Sequence, residues 1–247
     1  MFGKNKQKNP GALGAPLAIR SAAGEELHVF TPEIVANVRH MVTSLAVDGG
    51  VPSRLAVVSA LREEGVTHTS LALAAVLAND TAARVCAVEL NWWTPGMLAM
   101  IGRGEARKAG SGERPRLADI VTGKASLDEA LSPTAMPNLS LLPAGELPLE
   151  QRPTAARGAA LRAIVDDLAA RFDHLILDVP AVLATSDAIA LASLGDACAL
   201  VVRHGLTPTQ SVQLALDDIR HLNILGVILT KAEFHTPRFI LNLVPQE

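Results

Sequence analysis

The chain has 247 residues, 49% of them hydrophobic but only 3% aromatic, with a formal net charge of −3. So much apolar material fills a large core from Ala, Val, Leu and Ile, which suits a parallel sheet covered by helices better than a sandwich or a barrel. The charge balance gives no basis for general nucleic-acid binding, and no apolar run approaches the length of a membrane span.

Residues 1–28 are rich in Gly, Lys, Asn, Pro and Ala without clear periodicity, and read as a mobile tail ahead of a single domain over 29–247. Lys4, Lys6 and Lys8 have no apolar core behind them, so the start is not a signal peptide. Three lysines are also too few for stable membrane anchoring. Thr31-Pro32 then opens a helix, with Thr as N-cap and Pro at the first helical position. Ile34, Val35, Val38, Met41, Val42 and Leu45 fall on one face of it.

Leu55-Ala-Val-Val-Ser59 predicts a buried strand, and residues 67–77 predict the helix that follows. Arg84-Val-Cys-Ala-Val88 is a second strand, followed by a Gly-, Arg- and Lys-rich surface loop over about 102–112. Ser126-Leu-Asp-Glu129 is a capping box opening a short helix, and Leu139-Ser-Leu-Leu142 adds a strand. A helix over 154–171 precedes the strand Leu175-Ile-Leu-Asp178. Ala197-Cys-Ala-Leu-Val-Val202 and Ile224-Leu-Gly-Val-Ile-Leu229 complete the strands. Between them Thr207-Pro-Thr-Gln210 reads as a capping box for a helix to about residue 221. The alternation predicts an α/β fold: a doubly wound, mainly parallel sheet flanked by helices. Cys86 and Cys198 sit in strand-like runs and read as buried, inert thiols, and the seven histidines show no metal-ligand spacing.

Between the first buried strand and its helix lies Ala60-Leu-Arg-Glu-Glu-Gly-Val-Thr67. A phosphate loop of the form Gly-x-x-x-x-Gly-Lys-Ser/Thr needs glycines for close backbone approach, a lysine for the phosphates and a hydroxyl for magnesium. Gly65 and Thr67 fit, but Val66 stands at the lysine and Glu63 at a glycine.

The order of motifs over about residues 30–230 resembles the cytoplasmic domain of bacterial tyrosine kinases of capsule and exopolysaccharide systems, within the MinD/ParA-like deviant Walker P-loop group. Ser59 to Thr69 aligns with the family's Ser-x-x-Pro-Gly-Glu-Gly-Lys-Ser-Thr-Thr. Glu33, Ala36 and Arg39 fall on its Glu-x-x-Arg-x-x-Arg run, without the middle arginine. Leu117 to Leu131 and Leu142-Pro-Ala-Gly145 match further segments. Phe172-Asp-His-Leu-Ile-Leu-Asp-Val-Pro180 with Asp187 resembles the Walker B region. The closing strand carries Thr230 where the family usually has asparagine. The resemblance implies a P-loop NTPase-like fold and, for Glu33 and Arg39, contact with a neighbouring subunit. For Glu33 the bland alternative is the helix dipole alone, which favours an acid in the first turn by about 0.3–1 kcal/mol.

The departures fall on the chemistry. Without the lysine, Glu63 and Glu64 place carboxylates beside a polyanion, and one like-charge pair at about 4 Å costs ~1 kcal/mol in water and ~4 kcal/mol at surface-type dielectric. Where the family has Asp-x-Asp, this chain has Glu89-Leu-Asn91, then Trp92-Trp93. Asn91 cannot act as a base, and Glu89 is one methylene too long for in-line transfer. Trp92 and Trp93 mark a contact surface, or one ring covers the vacated nucleotide cleft. Thr67 and Asp178 remain as magnesium ligands, or Thr67 caps its helix and Asp178 is a buried acid bonded to amides. The sequence holds no tyrosine, the residue that the family phosphorylates on its own tail.

The resulting expectation is a catalytically degenerate, kinase-like docking or regulatory subunit with no cofactor. A cleft still in use would take magnesium with ATP or ADP through Arg62, Gly65, Thr67 and Asp178. The resemblance implies a membrane-embedded polysaccharide chain-length regulator (co-polymerase) or an intact kinase relative as partner, a homo-oligomer, and a cytoplasmic place, peripheral at the inner membrane through that partner. The alternatives are an active ATPase or protein kinase using Arg62 or a partner's cation, and a ParA/MinD-like localisation ATPase.

Overall fold

The computed structural model describes residues 14–47, 49–102, 107–108 and 112–231. Lys4, Lys6 and Lys8 and the apolar stretch 239–244 lie outside the described residues, as does part of the loop at 102–112. Leu17–Arg20 (β1) and Glu26–Phe30 (β2) pair antiparallel, Leu17 opposite Phe30 and Ile19 opposite His28. The tail expected over 1–28 therefore gives way to a hairpin from Leu17 onward. Ile19 and Phe30 are fully buried and anchor it, each side chain contributing on the order of 1.5–3 kcal/mol.

Helix α1 (Pro32–Val47) buries Val35 and Val38, as its apolar stripe predicts. There follow β3 (Arg54–Ser59), α2 (Val66–Asp80), β4 (Val85–Glu89), α3 (Met97–Ile101), β5 (Arg107–Lys108) and β6 (Gly112–Glu113). Helices α4 (Leu117–Val121) and α5 (Leu127–Ala130) lead to β7 (Ser132–Pro133) and β8 (Leu139–Leu142). The rest comprises α6 (Arg152–Arg157), α7 (Ala159–Arg171), β9 (His174–Asp178), α8 (Asp187–Ala192), β10 (Ala197–Arg203), α9 (Thr209–Ile219) and β11 (Ile224–Thr230). The single helix expected over 154–171 is two, because the chain turns extended at Gly158 (φ −73°, ψ 148°).

Seven strands form one sheet in the order β11-β10-β3-β9-β4-β8-β7, every pair parallel except β7 with β8. Alternate strand residues serve opposite faces. Ala56, Val58, Cys86, Val88, Leu175, Leu177, Cys198 and Leu200 pack with α4–α9. Leu55, Val57, Val85, Ala87, Ile176 and Val201 pack with the hairpin, α1, α2 and α3. Both faces are covered, which is why the strands read as continuous apolar runs. Residues 69–78 of α2 are buried throughout, as suits a helix between a sheet and an outer layer. Cys86 and Cys198 are buried free thiols, and burial pushes the Cys198 thiol up to about 12. The edge strand β11 differs: Leu225, Val227 and Leu229, on one of its faces, are 38%, 47% and 52% exposed.

The hairpin meets α2 through three rings. His28 lies edge-on to His68 with centroids 5.4 Å apart, and Phe30 stands 4.7 Å from His28 and 5.3 Å from His68. Burial lowers both histidine pKa values from 6.5, and the His28 and Lys231 charges lower that of His68 further. The folded state thus prefers both rings neutral, while the unfolded chain takes up protons near pH 6.5. Stability contributed here is complete above that pH and falls as the pH drops below it. We expect the melting temperature to decrease between pH 7.5 and 5.5, and the decrease to be smaller in a His28→Gln/His68→Gln double variant, as scanning calorimetry would read.

Candidate functional site: the C-terminal edge of the sheet

In a parallel sheet all strands end on one side, and ligands of such folds bind outside those carboxyl ends. There β3 runs into the loop 60–65, β4 ends at Glu89 and β9 at Asp178. Glu89 and Asp178 are register partners on adjacent strands, so their side chains share a face, and both are fully buried.

The two carboxyls have different surroundings. Glu89 Oε1 accepts the backbone N–H groups of Gly96 (2.6 Å) and Met97 (2.7 Å), and Oε2 accepts that of Ala144 (3.0 Å). Neither oxygen of Asp178 has a hydrogen-bond partner of good geometry among the described residues. Thr67 is the neighbouring hydroxyl that favours its ionised form. Burial raises the pKa of both acids; three amides and the Arg116 charge oppose the rise at Glu89, while the Glu89 charge adds to it at Asp178. Burial and the Glu89 charge thus favour the neutral form of Asp178.

The loop above the pair is closed by its own side chains. Gly65 takes the left-handed conformation (φ 96°) at the start of α2, with no side-chain cap. Glu63 is held at φ 64° without being glycine, a conformation that costs an L-residue roughly 1–2 kcal/mol. Glu64, expected to repel phosphate, points inward and is 3% exposed. Its carboxylate accepts the N–H of Leu61 (2.8 Å), the hydroxyl of Thr207 and the N–H of Arg203 (3.5 Å). The Thr230 hydroxyl donates to the Glu64 carbonyl at 2.7 Å. Thr207 is thus a fastening for the loop rather than half of a capping box, and Pro208 is the N-cap of α9. Val66 is half-buried and packs on the core beside the hairpin. Arg62 is exposed on the crest of the loop. Thr67 stands inside the first turn of α2 rather than at its cap.

The remaining predicted residues scatter. Asn91 bonds locally to Thr94 through both ends of its amide. Trp92, expected at a contact surface or over the cleft, is 1% exposed in the core, and its indole N–H donates to Ala144 O at 3.0 Å. Trp93 packs partly buried against the same core. Arg39, expected to reach a neighbouring subunit, makes two bonds to Asp80 of its own chain (2.6 and 2.9 Å), fastening α1 to α2. Glu33 is exposed in the first turn of α1. Asp187 pairs with Arg157 at 2.6 Å. The roles of Glu64, Ala144 and Thr207 carry no local sequence signal, since their partners are distant in the chain.

A magnesium nucleotide does not fit this set. The loop supplies no cation at Val66, and the Leu61 amide is taken by Glu64. Among the described residues no group of three or more potential metal ligands occurs.

No protein-family model matches the chain. The succinoglycan biosynthesis transport protein ExoP of Rhizobium meliloti is 26% identical over 185 residues, covering 73% of this chain and 22% of that protein. The tyrosine-protein kinase CpsD of Streptococcus agalactiae is 29% identical over 118 residues, covering 47% of this chain and 51% of the kinase. The chain thus spans about half of CpsD and about a fifth of ExoP. Among solved structures, the VpsO kinase domain superposes with a TM-score of 0.70 at 21% identity, over 81% of this chain and 97% of that one. Tyrosine-protein kinases are among the relatives in sequence, and the neighbours in structure include bacterial tyrosine kinase domains alongside MinD, so the fold is the one these domains share.

Asp178 makes a sign-definite prediction. Its pKa is raised from 3.8, so the unfolded chain loses this proton first, and stability falls as pH rises from 3.8 toward the folded pKa. Asp178→Asn removes that cost: its melting temperature should exceed wild type at pH 7.5 and the gap should close by pH 3.5. Each kcal/mol recovered is worth about 2–4 °C in a chain of this size.

Proposed function

We propose that this chain keeps the architecture of the bacterial polysaccharide tyrosine kinases without their phosphotransfer chemistry, and serves capsule or exopolysaccharide assembly as a docking or regulatory subunit. One observation carries the reading: three of the groups at the nucleotide position are turned to an internal use. Glu64 occupies a loop amide, Glu89 binds three backbone N–H groups, and Asn91 is tied to Thr94. A base at Asn91 is absent by chemistry, and the 247 residues contain no tyrosine to receive a phosphoryl group.

The partner would be a membrane-embedded chain-length regulator or an intact kinase relative, with this chain on the cytoplasmic side. Support comes from the kinship with ExoP and CpsD and from the exposed apolar face of β11, since apolar faces left in water are interaction surfaces or liabilities. Among the described residues no helix is long and apolar enough to cross a membrane. A second reading draws on Thr67 beside Asp178: a magnesium ATPase completed by a partner's cation, whose turnover Asp178→Ala would abolish.

Titration calorimetry separates the two. The purified chain is expected to show no saturable heat with millimolar Mg-ATP or Mg-ADP. Val66→Lys should recover measurable affinity without phosphotransfer, because Asn91 still offers no base. Saturable, magnesium-dependent binding by the wild type would defeat the proposal. The docking role is checked separately by detergent extraction of tagged chain, in which a polysaccharide co-polymerase or its kinase should co-purify; recovery of the chain alone would count against it.

A further inference from the structure

Beside the acid pair, the segment entering α4 crosses the end of β8. Leu117 N donates to Pro143 O (3.0 Å) and Ala118 N to Ala144 O (2.9 Å). Below this crossing opens a cavity of about 370 Å³ whose charged lining is Arg114, Arg116, Lys124, Asp119 and Glu146. The size falls within the range of small-molecule sites, about 300–1,000 Å³, and is larger than a bare phosphate requires.

Three cations and two carboxylates line it, with Arg116 also acting on the buried Glu89, and the two lining carboxylates are not equivalent. Asp119 Oδ2 accepts the Arg116 backbone N–H at 3.0 Å, so it is directed into the protein frame. Glu146 is exposed, at the rim. Arg114 is fixed at one end, where Nη1 donates to Leu131 O at 2.7 Å, while its Nε is buried without a hydrogen-bond partner among the described residues. A buried donor left unpaired in a folded protein calls for a ligand or some other explanation. The stem of Arg116 packs against Gly145, where a Cβ would stand 2.8 Å from Arg116 Cβ, so any larger residue there would displace the guanidinium.

We propose that this pocket binds a small polar molecule carrying one oxyanion, phosphate or carboxylate, with Arg114 as the planar donor and Arg116 and Lys124 as the neutralising charges. Guanidinium groups match the paired oxygens of both anions. Glu146 at the rim selects against polyanions by like-charge repulsion, so a nucleoside triphosphate is disfavoured here.

The test titrates the full chain with inorganic phosphate, glucose 1-phosphate and glucuronate at constant ionic strength, following the melting temperature and backbone amide chemical shifts. Saturable shifts at Arg114, Arg116 and Lys124 are expected, with affinity at least tenfold weaker in Arg114→Gln and Arg116→Gln. Lys124→Gln, at an exposed site, serves if either arginine variant fails to fold, and should weaken binding in the same direction. Tighter binding of glucose 1-phosphate or of glucuronate identifies the anion as phosphate or carboxylate. Equal responses in wild type and variants, or saturation mapped to Gly65–Thr67 instead, would overturn the proposal, as would no saturation by any of the three.

Discussion

The carboxylate of Glu89 organises the working edge of this sheet. A buried acid held by three backbone N–H groups ties the end of β4 to the start of α3 and to Ala144. Ala144 in turn accepts the indole of Trp92 and the amide of Ala118. Charge-assisted bonds of this kind are about twice as strong as neutral ones, and losing one partner would leave a buried group unmatched. Three such donors favour the ionised form of Glu89 against the burial that opposes it. The Glu89 charge and burial together push the pKa of the adjacent Asp178 up, which favours its neutral form.

The loop at 60–65 obeys the same logic. A phosphate loop presents unpaired backbone N–H groups because a polyanion is to pair with them. Here Glu64 supplies an internal anion to Leu61 N, and Thr207, Arg203 and Thr230 hold that glutamate from β10 and β11. The turn therefore stays closed without a ligand. The left-handed backbone at Glu63 and Gly65 shows that the turn's shape is retained even where one residue pays in strain for lacking glycine's freedom.

Much of the fold was legible because two-sided burial writes itself as unbroken apolar strands, and because Thr31-Pro32 and the Ser126–Glu129 box carry their signals within four residues. The hairpin was not, since Arg20, Glu25, Glu26 and His28 interrupt a pattern anchored by only Ile19 and Phe30. At the site, the positions of Glu89 and Asp178 at strand ends could be read from the runs preceding them. The partners of Glu64 could not, because Arg203 and Thr207 are 139 and 143 residues away. Trp92 misled for a related reason: a tryptophan pair at a strand end looks like surface until its N–H finds Ala144, 52 residues on.

These long-range bonds show how the edge of the sheet is held together from within. Removing a lysine alone would leave uncapped amides and two unneutralised acids, a site under electrostatic load. Instead the Leu61 amide is bonded to Glu64, Glu89 to three backbone N–H groups and Asn91 to Thr94, while burial and the Glu89 charge raise the Asp178 pKa. A lysine in place of Val66 would therefore meet a loop whose Leu61 amide is already paired with an internal anion. The internal bonds that stabilise the edge are the same ones that occupy Glu64, Glu89 and Asn91, so the two properties have a common cause.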